Sequence, residues 1–262
     1  MTMQRTIGML ACVVGVLAAC HPRGRSPQAA PAVAPDVDLR RAMDRFHHGD
    51  FRRALAILQR VSFELTPGTP EMAQVQYYIA ESWFQVGDYV QAASEFRKVA
   101  DEFATTEYAA PALLRAGDAN LRMWHRPELD PANGETALAI YQELAGRFPD
   151  TDAAARARLH VRRLEAQFAE KTYKTGIFYL RRKAFDSAII YFKDVIANYP
   201  TADRAPDALL RLVDSYRAIG YKQELQETCE HLRRFYPKAT GLDRSCPASA
   251  DSTATPSTPS TP

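Results

Sequence analysis

Residues 169–200, AEKTYKTGIFYLRRKAFDSAIIYFKDVIANYP, read as two helices folded back on each other. In the second half Phe185, Ala188, Phe192, Val195, Ile196 and Tyr199 recur at helical spacing and share one face. Asp186 is placed to cap the start of that helix, and Pro200, which lacks a backbone donor, ends it. The first half, with the turns that lead into it, carries Leu164, Phe168, Tyr173, Ile177 and Leu180 at helical steps, with the break near Lys183 and Ala184. An amphipathic pair of this kind cannot bury its apolar face alone, so the stretch predicts a stack of similar pairs.

Used as a ruler, Ala188 finds counterparts at Ala54, Ala92, Ala137 and, with a larger side chain, Leu225. Four residues on stand Leu58, Phe96, Tyr141, Phe192 and Cys229; seven on stand Val61, Val99, Leu144, Val195 and Leu232. A proline follows twelve after the anchor at Pro149, Pro200 and Pro237, and one step late at Pro67. Five before the anchor stands Gly49, Gly87 or Gly220, suited to a left-handed turn, with Lys183 in the fourth copy. The small anchor lets two helices cross closely, and the large residue one turn later fills the space between pairs. This pattern resembles the tetratricopeptide repeat. It predicts an all-α fold, a right-handed superhelical solenoid of about five helix pairs over residues 37–238. Two insertions account for the long spacing: 123–134 inside the third pair, and an extended first helix in the fourth that starts near Asp152.

The flanks have a different composition. Residues 1–19 pair Arg5 with an apolar run from Ile7 to Ala19, too short to span a membrane comfortably and suited to a signal-peptide core. The run ends in Leu17-Ala18-Ala19-Cys20, which resembles a bacterial lipobox and makes Cys20 the expected lipid attachment site. Each buried methylene of such an anchor contributes about 0.8 kcal/mol. Residues 20–36, rich in Pro and Ala, read as a tether reaching roughly 45–50 Å if polyproline-like. Residues 239–262, rich in Ser, Thr, Pro and Ala, are expected to form a disordered tail.

Net charge is +2, and removal of residues 1–19 takes away Arg5 and no acid, leaving +1. This balance argues against a nucleic-acid partner. Cys229 and Cys246 allow two readings: a disulfide, or a core residue in a helix plus a free thiol in the tail. The second is preferred, because Cys229 falls on a slot that the repeat buries.

No catalytic constellation, cofactor motif or metal-ligand spacing emerges. His47 and His48 are adjacent, but neighbouring helical side chains diverge by about 100°, so a shared ion is not expected. The expectation is a binding protein rather than an enzyme. Stacked pairs present a concave surface lined by first helices. On the ruler the inward candidates are Leu39, Met43 and Phe46, then Tyr77, Glu81 and Phe84, then Tyr173, Ile177 and Arg181. Exposed aromatics there would anchor an extended peptide.

The lipobox, the tether, the five repeats and the long lead-in helix, together with the stretches FQVGDYVQAASEFRKVADEF and DALLRLVDSYRAIG, resemble the BamD family of outer-membrane assembly lipoproteins. The resemblance implies an outer-membrane, periplasm-facing scaffold without enzymatic activity. It implies two partners: unfolded outer-membrane proteins, and BamA, a β-barrel insertase with POTRA domains. By position it puts the substrate groove on Phe46, Tyr77, Glu81 and Phe84. It puts the insertase face on the last two repeats, with Arg181, Arg182 and Tyr191. Tyr191 is aromatic where some members of that family carry a basic residue. A second reading is a repeat lipoprotein that organises peptidoglycan enzymes or an envelope-tethering complex.

Overall fold

In the computed structural model, which describes residues 35–125 and 130–247, ten helices pair in chain order and a short eleventh follows. The pairs are α1 (Pro35–His47) with α2 (Phe51–Glu64), α3 (Pro70–Val86) with α4 (Tyr89–Glu102), α5 (Ala109–Met123) with α6 (Ala132–Arg147), α7 (Asp152–Arg181) with α8 (Phe185–Asn198), and α9 (Arg204–Ile219) with α10 (Lys222–Phe235). Helix α11 spans Leu242–Ser245. The architecture is an all-α stack of tetratricopeptide-like pairs. The expected signal peptide, Cys20 and nearly all of the tether lie outside the described residues.

The repeat slots are the core. Ala54, Ala92, Ala137 and Ala188 are fully buried, as are Leu58, Phe96, Tyr141 and Phe192 one turn on; Cys229 is 4% exposed. Val61, Val99, Leu144, Val195 and Leu232 are buried beside them, whereas Leu225 is only partly buried. Facing each large residue is a small one on the first helix of the pair. A Cβ on Gly117 would lie 2.5 Å from the Tyr141 ring, and one on Gly176 2.6 Å from Phe192. Ala42 and Ala80 hold the same place in the first two pairs. In the fifth the sizes reverse, with Val213 in the core that holds Cys229.

Helix ends follow local chemistry. Thr69 and Thr151 accept hydrogen bonds from the backbone N–H of Met72 and Ala154, and Pro70 opens α3, where its missing donor costs nothing. Asp186 does not cap α8: it lies inside the first turn, where its charge faces the positive end of the helix dipole. The turn glycines Gly49, Gly87 and Gly220 have φ of 77°, 89° and 80°. Lys183, in the same slot, has φ 60°, so the backbone keeps the left-handed turn without glycine.

The 30-residue α7, about 45 Å long, joins two cores. Ala153, Ala157, Leu164 and Phe168 close the core of the second and third pairs, while Ala169, Tyr173, Ile177 and Leu180 belong to the core of the fourth and fifth.

The C-terminal expectation is corrected. Cys229 and Cys246 are joined in a disulfide, with Cα atoms 5.5 Å apart. Cys246 is not a free tail thiol but 3% exposed, and Leu242 is 8% exposed in the same core. The chain remains packed through 239–247, because one turn of helix carries both side chains back onto α9 and α10. The expected tail therefore shortens to residues 248–262, which lie outside the described residues.

Candidate functional site

The expected peptide groove is brought together by α1, α3 and their neighbours, but not as a row of exposed anchors. Phe46 is half-buried edge-on to Phe51 and Tyr78, at ring distances of 5.2 and 5.1 Å. Tyr77 is half-buried among Tyr78, Phe96 and Tyr108. Phe84 is 7% exposed, lying under the guanidinium of Arg115, 3.8 Å from its ring centre. Glu81 is 8% exposed and is gripped by Arg115 through two hydrogen bonds, one of them Nε–H to Oε2 at 2.8 Å. The same arginine donates to Asp118 Oδ2 at 3.2 Å, and Tyr141 Oη donates to Asp118 Oδ1 at 2.7 Å.

These residues form a polar seam that ties the second pair to the third. Burial pushes the Tyr77 hydroxyl up to about 12, with the Glu81 charge adding to it. Burial raises the Tyr141 hydroxyl further, helped by the Asp118 charge and hydrogen bond, which fixes it as a neutral donor. Burial alone would lower Arg115, but its bonds to Glu81 and Asp118 outweigh that and hold it charged. Such a seam leaves Glu81 and Phe84 without free surface for a ligand. Sequence reasoning missed Arg115 because it stands 34 residues from Glu81, on the next pair.

The residues expected at the insertase face lie on α8 and at the turn that precedes it. Arg181, Arg182 and Lys183 are all exposed at the α7–α8 turn. The Arg182 guanidinium sits 3.5 Å above the ring of Phe178, which is 48% exposed. Tyr191 is half-buried and stacked on Tyr179, with centroids 5.3 Å apart and planes 7° apart. Of the other inward candidates, Tyr173 faces Phe192 and Arg204, and Ile177 packs on the same core.

The open surface lies elsewhere. A cleft of about 860 Å³ runs along α7, walled by Trp124 and by Arg163, Gln167, Phe168, Lys171, Lys174 and Phe178. Trp124 is set by the insertion after α5. Its indole N–H donates to the Asp130 carbonyl at 2.8 Å, and its ring lies against Gly134 and 5.4 Å from Phe168. Glu170 is the acid of the cleft, and it is already paired with Arg204 and Lys174. Its lining joins the rings of Trp124, Phe168 and Phe178 to the side chains of Arg163, Lys171 and Lys174. The sequence pattern hid this cleft, since it marks buried faces, whereas all but Phe168 of the α7 lining named here lies off that face and Trp124 comes from an insertion. Among the described residues no group of three or more His, Cys, Asp or Glu side chains can hold a metal ion, and no helix is long and apolar enough to cross a membrane.

A family model described as outer membrane lipoprotein, YfiO, matches residues 38–232, which takes in all five pairs up to Leu232 in α10. The chain is 38% identical over 95 residues to an outer membrane protein assembly factor BamD from Caulobacter vibrioides, covering 36% of this chain and 31% of the relative. It is 32% identical over 99 residues to the protein of that name from Rickettsia prowazekii, covering 38% and 39%. The chain thus spans about a third of the length of the curated relatives it matches. Among solved structures, the TPR domain of P58(IPK) aligns over 80% of this chain and 54% of its own, at 14% identity and a TM-score of 0.41.

Proposed function

Because the chain belongs to the YfiO family of outer membrane lipoproteins, and its similar relatives carry the name outer membrane protein assembly factor BamD, we propose that it is a non-enzymatic scaffold for outer-membrane protein assembly. In this reading Cys20 carries the lipid, the repeat stack faces the periplasm, and the protein links unfolded outer-membrane proteins to a BamA-like insertase. The family match across all five pairs carries the proposal.

The insertase docks at the corner of Arg181, Arg182 and Tyr191. Three neighbouring cations, all exposed, suit an acidic surface, and the Arg182–Phe178 stack pre-orders one of them. The unfolded chain is received along α7, where Trp124 and Phe178 supply aromatic walls. Phe46 and Tyr77 then act at the margin, and Glu81 and Phe84 support the array instead of touching the ligand.

Crosslinked pull-down from membranes tests this reading. The expected main partner is a POTRA-bearing barrel protein, lost with Arg181→Glu/Arg182→Glu while the helical content stays unchanged. Full retention of the barrel protein by that variant sinks the interface. A pull-down dominated by cell-wall synthases or hydrolases replaces the function.

A further inference from the structure

Helix α10, KQELQETCEHLRRF, buries only Cys229 and Leu232, fewer residues than any other second helix of a described pair. Its anchor position holds Leu225, partly buried, instead of a fully buried alanine. So little apolar surface gives a 14-residue helix a weak hold on α9. The segment after α10 supplies the difference. Residues 239–247 fold back over the end of the fifth pair, seat Leu242 and Cys246 in the core, and close the disulfide to Cys229 across 17 residues. Two arginines hold the same segment: Arg217 donates to the Ser245 carbonyl, and Arg233 donates to the carbonyls of Cys246 and Pro247 at 2.8 and 2.9 Å. Terminal repeats of a stack need a cover of this kind.

We propose that residues 239–247 form a disulfide-latched cap, and that the Cys229–Cys246 bond makes folding of the terminal helix pair conditional on oxidation. The bond forms when a disulfide-carrying oxidant takes two electrons and two protons from the two thiols, leaving the carrier as a dithiol. Until then α10 is held by two buried side chains, Leu232 and the small Cys229, and by partly buried ones. Once formed, both cysteines are at most 4% exposed, so a small thiol reaches the bond only after the cap opens. The latch therefore protects itself from the reductant that would undo it.

Amide hydrogen exchange by mass spectrometry on the full chain tests the latch, comparing oxidised protein, reduced protein and Cys246→Ser. Cys246→Ser removes the bond but leaves Cys229 in its core slot. The expected result is about 100-fold faster exchange in α10 and in 239–247 when the bond is absent, the size that closing a loop of this length implies, with α3 to α6 unchanged. A change below twofold in α10 overturns the proposal, as does an equal loss of protection throughout the chain. Alkylation followed by peptide mapping gives a second readout that needs no variant. Protein isolated without reductant should leave both Cys229 and Cys246 unlabelled, and labelling of both overturns the latch.

Discussion

Helix α4 buries Ala92, Phe96, Val99 and Ala100, whereas α10, at the same place in its own pair, buries Cys229 and Leu232 alone. Both helices have 14 residues, both follow a left-handed glycine turn, and both fill the anchor-plus-four and anchor-plus-seven slots. The second pair is joined by apolar area, at roughly 25 cal/mol for each Å² buried. The fifth is joined by a covalent bond, a short cap and arginine hydrogen bonds to the carbonyls of that cap. Register is therefore a property of backbone geometry that the repeat imposes, while adhesion is a property of the side chains, and the two vary separately.

The largest expected contrast comes from emptying one slot in each pair. Phe96→Ala, at a fully buried ring, should cost about 3–5 kcal/mol, and Leu232→Ala about 2 kcal/mol while the disulfide holds. Denaturant unfolding of oxidised protein measures both. If Leu232→Ala costs as much as Phe96→Ala, the fifth pair depends on apolar packing after all and the contrast fails.

The same division decides how much of the fold is legible in the sequence. The anchor, the large residue and the turn slot sit at fixed offsets, so all five pairs are legible, and the left-handed slot extends even to Lys183. The disulfide is not, because spacing identifies Cys229 as a core residue, which it is, and tail composition conceals that Leu242 and Cys246 return to the core. The groove is legible only in part. Tyr77, Glu81 and Phe84 do share a helix face, but Arg115 from the next pair covers Glu81 and Phe84. Helical periodicity says which face a residue is on and is silent about what the neighbouring pair places over it.

Size matching within a pair offers the next test. Gly176 leaves room for Phe192, and a Cβ added there would sit 2.6 Å from the ring. Gly176→Ala should cost about 1–3 kcal/mol, since the ring must move within a packed core. Adding Phe192→Leu should recover part of that loss. Without recovery, the close approach is not what makes alanine unfavourable. No such penalty is expected in the fifth pair, where the corresponding positions already hold Val213 and the smaller Cys229 in one core.

A smaller effect, of opposite sign, is expected at the turn of the fourth pair. Lys183 holds φ 60°, a conformation costing a side-chain-bearing residue about 1–2 kcal/mol. Glycine relieves that strain but adds freedom to the unfolded chain, worth about 0.4–1 kcal/mol in the other direction. Lys183→Gly should therefore stabilise the protein by about 0.5 kcal/mol, the difference of those two effects, read as a rise in Tm. If the pull-down of the barrel partner also weakens, the charge of Lys183 takes part in docking, and the strained turn is retained for that contact.

The smallest effect concerns the ion pair that helps attach the fifth pair to α7. Arg204, at the start of α9, donates to Glu170. The hydrogen bond from Arg204 holds the Glu170 carboxyl below the ordinary carboxylate range, against a smaller opposing effect of burial, with Lys174 adding a second donor. A carboxylate with a lowered folded pKa contributes stability that is present above its unfolded value, about 4.3. That contribution is lost as pH falls through the lower folded value. The side chain is 32% exposed, so solvent screening limits the contribution to a few tenths of a kcal/mol. As pH falls from above the unfolded value of about 4.3, the oxidised protein should lose Tm more steeply than Glu170→Gln, and the two curves should converge once the folded carboxyl is protonated. Parallel curves throughout the acid titration would mean that Arg204 gains nothing from Glu170, which would leave the disulfide cap and the apolar contacts of α9 to hold the end of the stack.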